Sequence, residues 1–298
     1  MPRAALTIPP EVRSRLKRLS LSPRRMAGTR GFGMHASRSK GAGLEFAQYR
    51  AYEPGDEPRR IDWKLFSRSD KFFVREAEEE SPLAVWVLID ASGSMTQADR
   101  ARPDWARFDA ARLLALCIGE LATMQGDRFG WMVLQDGALA VVDPQSGRGQ
   151  AGRMQVDLAR ITPGGTFPEP PTLAPLWERI GARDLVIFLS DCFDEGGIAL
   201  IERLAKAGRE VLAIQLLTVE EREFPFDGGF RFREQESGAE LVSDGAALRA
   251  TFLARFAAAR ETLDERLDKA GIRHAAVWLD EPIDRPLQAL FGRGAGAP

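Results

Sequence analysis

Short runs of apolar residues alternate with helix-like stretches along most of the chain that follows Pro82. The runs read LAVWVLI, FGWMVL, LVIFLS, VLAIQLL and HAAVWL, and each is short enough to form a single strand. Residues 107–123 and about 246–269 lie between such runs and carry the apolar spacing of helices. Continuous apolar runs are typical of strands that are covered on both faces. The pattern therefore predicts an α/β fold with a doubly wound, mostly parallel sheet over residues 81–282.

Two local signals modify this picture. Asp136-Gly137 separates FGWMVL from ALAVV, so these two runs are expected to form a hairpin that makes one edge strand antiparallel. Residues 147–152 read GRGQAG and match the GxGxxG pattern of nucleotide-binding folds, but VVDPQS separates them from the preceding strand. We therefore expect a flexible surface loop there, with a nucleotide-binding enzyme as a competing interpretation.

The two ends of the chain differ from this pattern. Residues 44–80 alternate apolar and polar positions around a Pro-Gly-Asp turn, which predicts a small strand-rich segment. The alternating positions are Phe46, Tyr49, Tyr52, Ile61, Trp63 and Leu65. Residues 1–43 are predicted to be a basic, partly flexible arm, because residues 28–43 are rich in Gly and Ser. Residues 283–298 are expected to form a C-terminal tail.

Charge is distributed unevenly along the 298 residues. The whole chain has a formal net charge of −2. Residues 1–40 carry ten Lys or Arg against Glu11 alone, a balance of +9 that leaves −11 for the remainder. We expect the arm to contact the acidic body of the same protein. Pro10 and Glu11 can open a helix with Val12 and Leu16 on its apolar face, so a peripheral membrane contact stays open as an alternative.

Composition also bears on the compartment. The longest apolar run has seven residues, whereas a membrane-spanning helix needs about 20, so no transmembrane segment is predicted. The only cysteines are Cys117, within a helical pattern, and Cys192, after a strand-like run. We predict reduced thiols and a cytoplasmic location. With only two histidines, a zinc site built on several imidazoles is excluded, and any metal must be held mainly by oxygen.

Oxygen-bearing side chains follow the apolar runs at positions where a sheet gathers its ligands. The run LAVWVLI ends in Asp90, and Ser92 and Ser94 follow at alternating positions. A Pro-Gly-Gly-Thr loop contributes Thr166, and the run LVIFLS leads into Asp191. Ligands of doubly wound sheets bind at the carboxyl ends of the strands. Two carboxylates and three hydroxyls at one edge predict a site for Mg²⁺ or Mn²⁺.

This DxSxS pattern, with its later Thr and Asp, resembles the metal-ion-dependent adhesion site (MIDAS) of von Willebrand factor A domains. The resemblance implies that Asp90, Ser92, Ser94, Thr166 and Asp191 are the metal-binding residues. In that family the hydroxyls bind the ion directly or through water, and the Asp residues usually act through water. The resemblance also implies binding rather than turnover. It further implies that a partner protein supplies an acidic residue to the ion, so no catalytic residue is assigned.

A second resemblance lies in the segment before this domain. The motifs YEPGD and RRIDW, followed by RE and EEE, are similar to the signature of a bacterial family of unknown function. Its members carry a von Willebrand A-like domain and are associated with MoxR-type AAA ATPases. The resemblance implies an adaptor or partner of such an ATPase in the assembly or maturation of other proteins. The candidate partner-binding residues are Tyr52, Pro54, Gly55, Asp56, Arg59, Arg60, Asp62 and Trp63.

Other classes of function are weighed against this one. A Mg²⁺-dependent phosphohydrolase of haloacid dehalogenase type would use Asp90 as the nucleophile, but its general acid would sit where this chain has Ser92. Nucleic-acid binding would rest on the basic arm alone, and the acidic body would repel phosphate. No nucleic-acid partner is therefore predicted. Cys192 lacks a recognisable His partner, so we expect a packed residue there and not a nucleophile.

Overall fold

The computed structural model describes two compact units within the chain. The described residues are 6–21, 45–53, 56, 58–78, 82–233 and 240–292, and the side chains of 45–48, 60, 75–78, 230–233 and 240–243 are outside the description. The larger unit comprises residues 1–30 and 83–298, and the smaller one comprises residues 31–82. The Gly- and Ser-rich residues 28–43 predicted to be a loop lie outside the described residues.

The larger unit is built on a six-stranded sheet. Its strands are β3 (Ala84–Asp90), β4 (Arg128–Gln135), β5 (Ala138–Gln145), β6 (Leu185–Ser190), β7 (Glu210–Leu217) and β10 (Arg273–Trp278). They lie in the order β10-β7-β6-β3-β4-β5, and β5 alone runs antiparallel to its neighbour. The predicted doubly wound, mostly parallel sheet is confirmed. The predicted hairpin is confirmed as well, with Gly137 at φ +65° in the turn that joins β4 to β5.

The central strand packs two cores because its side chains alternate between the faces of the sheet. Val85, Val87 and Ile89 belong to one core, and Trp86 and Leu88 belong to the other. All seven residues of β3 are buried, which explains why the strand reads as an unbroken apolar run.

Helices cover both faces of this sheet. Those of the larger unit are α1 (Pro10–Leu16), α3 (Arg107–Gln125), α4 (Arg148–Ala159), α5 (Ala174–Arg179), α6 (Glu195–Lys206), α7 (Val219–Glu223), α8 (Gly245–Lys269) and α9 (Arg285–Phe291). The two longest, α3 and α8, confirm the helices predicted from apolar spacing. A short antiparallel pair, β8 (Gly229–Arg233) with β9 (Glu240–Asp244), was not predicted.

Two predictions about irregular segments were wrong. The GRGQAG stretch was expected to be a flexible loop, but it forms the beginning of α4. Gln150 is buried there and donates from its amide to the carbonyl oxygens of Phe129 and Asp143 at 3.0 and 3.1 Å. The strand before α4 is the antiparallel edge strand, whereas a dinucleotide site requires a parallel strand there. The C-terminal segment is not simply a tail, because α9 buries Leu287 and Phe291 in the core.

The N-terminal arm packs on the larger unit. The apolar side chains of α1 and of the residues on either side of it are buried in the same core as α3; they are Ile8, Val12, Leu16, Leu19 and Leu21. Arg15 donates from Nη2 to the fully buried Asp284 at 2.7 Å, and Arg13 pairs with Glu120 at 3.0 Å. For residues 6–21 the predicted contact between the basic arm and the acidic body is therefore confirmed.

The smaller unit combines two strands with a helix. β1 (Glu45–Ala51) pairs antiparallel with β2 (Phe73–Glu78), and α2 (Trp63–Ser69) lies between them in sequence. The alternation of Ile61, Trp63 and Leu65 predicted a strand at this position and was wrong. Asp62 is the reason, because its carboxylate accepts hydrogen bonds from the backbone N–H groups of residues 64 and 65 at 2.9 Å and so begins a helix.

Gly130 lies where the β4–β5 pairing becomes irregular. A Cβ atom at this position would lie 2.4 Å from the Val142 carbonyl oxygen and 2.7 Å from the Pro144 nitrogen. We expect Gly130→Ala to lower the free energy of unfolding by about 1–3 kcal/mol, because backbone cannot yield as a flexible side chain can. Gly152→Ala is the matched control. Its Cβ would meet nothing within 4 Å, so about 0.5–1 kcal/mol of added helix stability is expected. Urea denaturation of both variants measures the difference, and equal midpoints would contradict it.

Candidate metal-binding edge of the sheet

The predicted metal-binding residues lie where the strand order reverses. β3 and β6 are neighbours in the sheet, although β4 and β5 come between them in sequence. Asp90 is the last residue of β3, and Asp191 directly follows β6. Both carboxylates are buried, with exposed fractions of 0% and 1%. A topological switch point at the carboxyl ends of parallel strands is the usual ligand position in such folds.

Asp90 is fixed by hydrogen bonds to both of its oxygens. Oδ1 accepts from the backbone N–H of Ser92 at 2.9 Å, and Oδ2 accepts from the hydroxyl of Ser190 at 2.7 Å. Burial, together with the negative charge of Asp191, raises the pKa of Asp90 to about 6 despite these hydrogen bonds. A positive charge at this edge would therefore stabilise the ionised carboxylate.

The two serines and the Thr166 loop are joined by the backbone. The hydroxyl oxygens of Ser92 and Ser94 lie 3.1 Å apart. The N–H of Gly93 donates to the carbonyl of Gly165 at 2.7 Å, and the N–H of Gly164 donates to the carbonyl of Ala91 at 2.9 Å. These two bonds hold the loop that carries the exposed Thr166 against the serine loop.

Arg107, the first residue of α3, provides a buried cation beside the two acids. Its Nη1 donates to Asp191 Oδ2 at 2.8 Å and to the carbonyl of Ser94 at 3.0 Å, while Nη2 contacts Glu221. The guanidinium also lies over the ring of Phe193, 5.2 Å from its centroid. The negative charge of Asp191 is therefore compensated by the positive charge of Arg107. Asp90, in contrast, faces no cationic side chain among its described partners.

Sequence reasoning missed three residues that support this edge. Ser190 positions Asp90, Arg107 pairs with Asp191, and Gln215 donates to the Asp191 carbonyl at 2.9 Å. Ser190 is the last residue of the apolar run that leads into Asp191, so the run could have indicated that Ser190 lies at the candidate site. Arg107 and Gln215 lie outside the motif, and nothing in the pattern marks them.

Cys192 is a packed residue, as expected. It is buried, and burial next to the acids of this edge raises the pKa of its thiol. Burial likewise raises the pKa of the Cys117 thiol to about 12. Both cysteines are free and buried, so neither is a reactive thiolate near neutral pH.

The candidate partner-binding residues of the smaller unit divide into two groups. Asp56 accepts from Arg50 at 2.7 Å, and the buried Asp62 accepts from the Tyr49 hydroxyl at 3.0 Å and from the start of α2. These two acids therefore stabilise the unit itself. Arg59 and Trp63 are exposed, and Tyr52 is half-buried. Pro54 and Gly55 lie outside the described residues, as does the side chain of Arg60.

The strand order and the helices on both faces define a doubly wound α/β domain, and this fold agrees with the von Willebrand A-like fold predicted from the sequence. The chain belongs to the family described as "Protein of unknown function DUF58", whose model matches residues 48–262. This membership confirms the resemblance to a bacterial family of unknown function. In the described part of the chain, no helix is long and apolar enough to cross a membrane.

Other proteins and solved structures are similar to this chain. Uncharacterized proteins of Mycobacterium bovis and Mycobacterium tuberculosis are 28% identical over 260 residues, covering 84% of this chain and 79% of theirs. An aerotolerance-related membrane protein from Bacteroides fragilis matches at 16% identity with a TM-score of 0.44, covering 70% of this chain and 96% of that one. The SpRpn10 VWA domain matches at 15% identity with a TM-score of 0.38, covering 70% and 94%.

Proposed function

We propose that this protein is a metal-dependent protein-binding module. Asp90, Ser92, Ser94, Thr166 and Asp191 would hold Mg²⁺ or Mn²⁺, and a partner protein would supply an acidic side chain to the ion. The observation that carries the proposal is the pair of serine hydroxyls in contact at 3.1 Å beside two buried carboxylates at the switch point. Hydroxyl and carboxylate oxygens are the ligand types that these hard cations prefer.

The donor set fits such an ion. Among the described residues, no group of three or more His, Cys, Asp or Glu side chains could hold a metal, so a cation at this edge would rest on two acids and the hydroxyls. Asp90 faces no cationic side chain among its described partners, and burial beside Asp191 raises its pKa to about 6. A divalent ion supplies concentrated positive charge, and few anionic ligands leave that charge available to an incoming carboxylate.

The side chains around the ion site have separate tasks in this proposal. Ser190 holds one oxygen of Asp90 and the backbone of Ser92 holds the other, which suits an acid that orients water and not a nucleophile. Arg107 neutralises Asp191, which lowers the negative charge that the site presents to a partner. An acidic partner side chain therefore meets less repulsion. These features favour binding over turnover, and no observation favours the phosphohydrolase alternative.

The partner that we propose is a MoxR-type AAA ATPase, with this chain as its adaptor in the assembly or maturation of other proteins. The resemblance of the YEPGD and RRIDW motifs supports this choice.

A binding experiment with purified components tests the proposal. The tagged chain is mixed with a MoxR-type ATPase from the source organism, with Mg²⁺ or with EDTA. We expect EDTA and Ser94→Ala each to weaken capture at least about tenfold, because EDTA removes the ion and the substitution removes one of its ligands. Thr123→Ala is the matched control, since its hydroxyl bonds to the Gly119 carbonyl within α3. Capture that persists unchanged in EDTA and in Ser94→Ala would refute metal dependence.

A further inference from the structure

The smaller unit exposes a cluster of aromatic rings. Tyr52, Trp63, Phe66 and Phe72 form this cluster, which we call the aromatic platform. Phe66 and Phe72 are stacked with centroids 4.4 Å apart, and Trp63 meets both edge-on at 6.1 and 6.3 Å. Tyr52 adds a tilted contact to Phe72 at 6.2 Å. The rings therefore hold one another in a fixed arrangement.

The platform is open to solvent. Trp63 is 59% exposed and Phe72 is 45% exposed. Large aromatic side chains are costly to leave in water, and grouped exposed ones mark interaction sites more often than isolated ones do. Trp and Tyr side chains also dominate the binding energy of protein interfaces.

Backbone and side-chain contacts set the platform in place. Asp62 begins α2 and so directs Trp63 outward, while its second oxygen accepts from the Tyr49 hydroxyl. The N–H of Tyr52 donates to the carbonyl of Phe72 at 3.0 Å, which joins the two ends of the cluster. Asp62 of the RRIDW motif thus supports the surface from within, and it is not part of the surface itself.

Positive charge lies next to the platform. Lys64 and Arg68 are exposed and one helical turn apart, so they share a side of α2, and the exposed Lys71 directly precedes Phe72. None of the three forms an ion pair with a residue that the structure describes. Asp70, which ends the helix, is the only acid between Lys64 and Phe72. Among the described residues, the surface therefore combines exposed rings with cations that have no ion-pair partner.

We infer that the aromatic platform binds an acidic, amphipathic segment of a partner protein. Apolar side chains of the segment cover Trp63 and Phe72, and its carboxylates pair with Lys64, Arg68 and Lys71. The fixed ring geometry favours a protein ligand over a lipid surface, because a preformed platform loses little entropy when a matching side chain packs on it. This contact needs no metal, so it goes beyond the ion-dependent binding proposed above.

A peptide selection in EDTA tests the inference apart from the ion site. A phage-displayed library of random peptides is panned on the full chain and counter-selected on Trp63→Ala. We expect peptides that combine Asp or Glu with aromatic or Leu residues. Their affinity, measured by fluorescence anisotropy, should fall at least about tenfold in Trp63→Ala and in the double variant Lys64→Glu, Arg68→Glu. Met124→Ala, which alters an exposed apolar side chain on α3, is the matched control.

Each result supports or overturns the inference. Acidic peptides that lose affinity in both platform variants, but not in Met124→Ala, support it. Peptides without net negative charge, or equal binding to Trp63→Ala, overturn it. Failure to enrich any peptide overturns it too, and Trp63-dependent sedimentation with phosphatidylglycerol vesicles would then assign the surface to a membrane. Trp63 is exposed, so Trp63→Ala is expected to remain folded. An unchanged far-UV circular dichroism spectrum verifies this.

Discussion

Asp90→Asn is expected to weaken Mg²⁺ binding by about 100-fold while the sheet stays folded. Asparagine has nearly the same shape and keeps a carbonyl oxygen for the Ser92 N–H, so the loop geometry is retained. The change removes the negative charge that attracts the ion, and losing a group that orients metal ligands costs 10- to 100-fold in affinity. Isothermal titration with Mg²⁺ measures the affinity, and a thermal melt monitors the fold.

Two further variants sharpen this test. Asp90→Ala is expected to abolish Mg²⁺ binding and to lower stability by about 1–3 kcal/mol, since Ser92 and Ser190 lose their acceptor. Asp184→Asn is the matched control. Asp184 directly precedes β6, at the amino-terminal ends of the strands and therefore away from the candidate ion site, and it accepts from Trp86 at 3.0 Å. Wild-type affinity in Asp90→Asn would remove this residue from the ion site, and a fully unfolded Asp90→Ala would show that its role is structural.

Leu16→Ala is expected to lower the free energy of unfolding by about 2–5 kcal/mol. Leu16 is fully buried at the end of α1, in the core that also contains α3. Truncating it removes apolar contacts and leaves a cavity that neighbouring helices cannot fill completely. Urea denaturation followed by circular dichroism gives the change directly.

The control for this prediction is an apolar residue at the surface. Val156→Ala alters a side chain that is 51% exposed on α4, and a change within about 0.5 kcal/mol is expected. If Leu16→Ala proved as mild as this control, the arm would be an accessory segment. The expected loss instead makes residues 6–21 part of the folding unit.

The sequence predicted the sheet well because its central strands are covered on both faces. Burial of every residue in β3 leaves an unbroken apolar run that has the length of a single strand. The run also locates the strand end, and hence Asp90, at an edge where ligands bind. The candidate site could be predicted from the sequence for the same reason, since each acid lies at the end of such a run.

The failures have equally local causes. The alternation around Trp63 suggested a strand, but an N-terminal cap at Asp62 selected a helix. The glycines of residues 147–152 suggested a loop, yet the buried amide of Gln150 fixes α4 to the sheet. Arg107 could not be assigned to the site because its contact with Asp191 spans 84 positions along the chain. A sequence pattern relates residues that are close along the chain, whereas contacts between distant residues depend on the folded topology.

The division of the chain into units has a mechanical consequence. Residues 6–21 and residues from 83 onward belong to the same unit, so residues 31–82 are an insertion tethered at both ends. The tether after residue 82 leads directly into β3, which has neighbours on both sides in the sheet. A force applied to the smaller unit is therefore transmitted to the larger one at two points, through the segment of α1 and through a central strand. A single cut in either tether leaves the other tether intact, so the two units stay covalently joined.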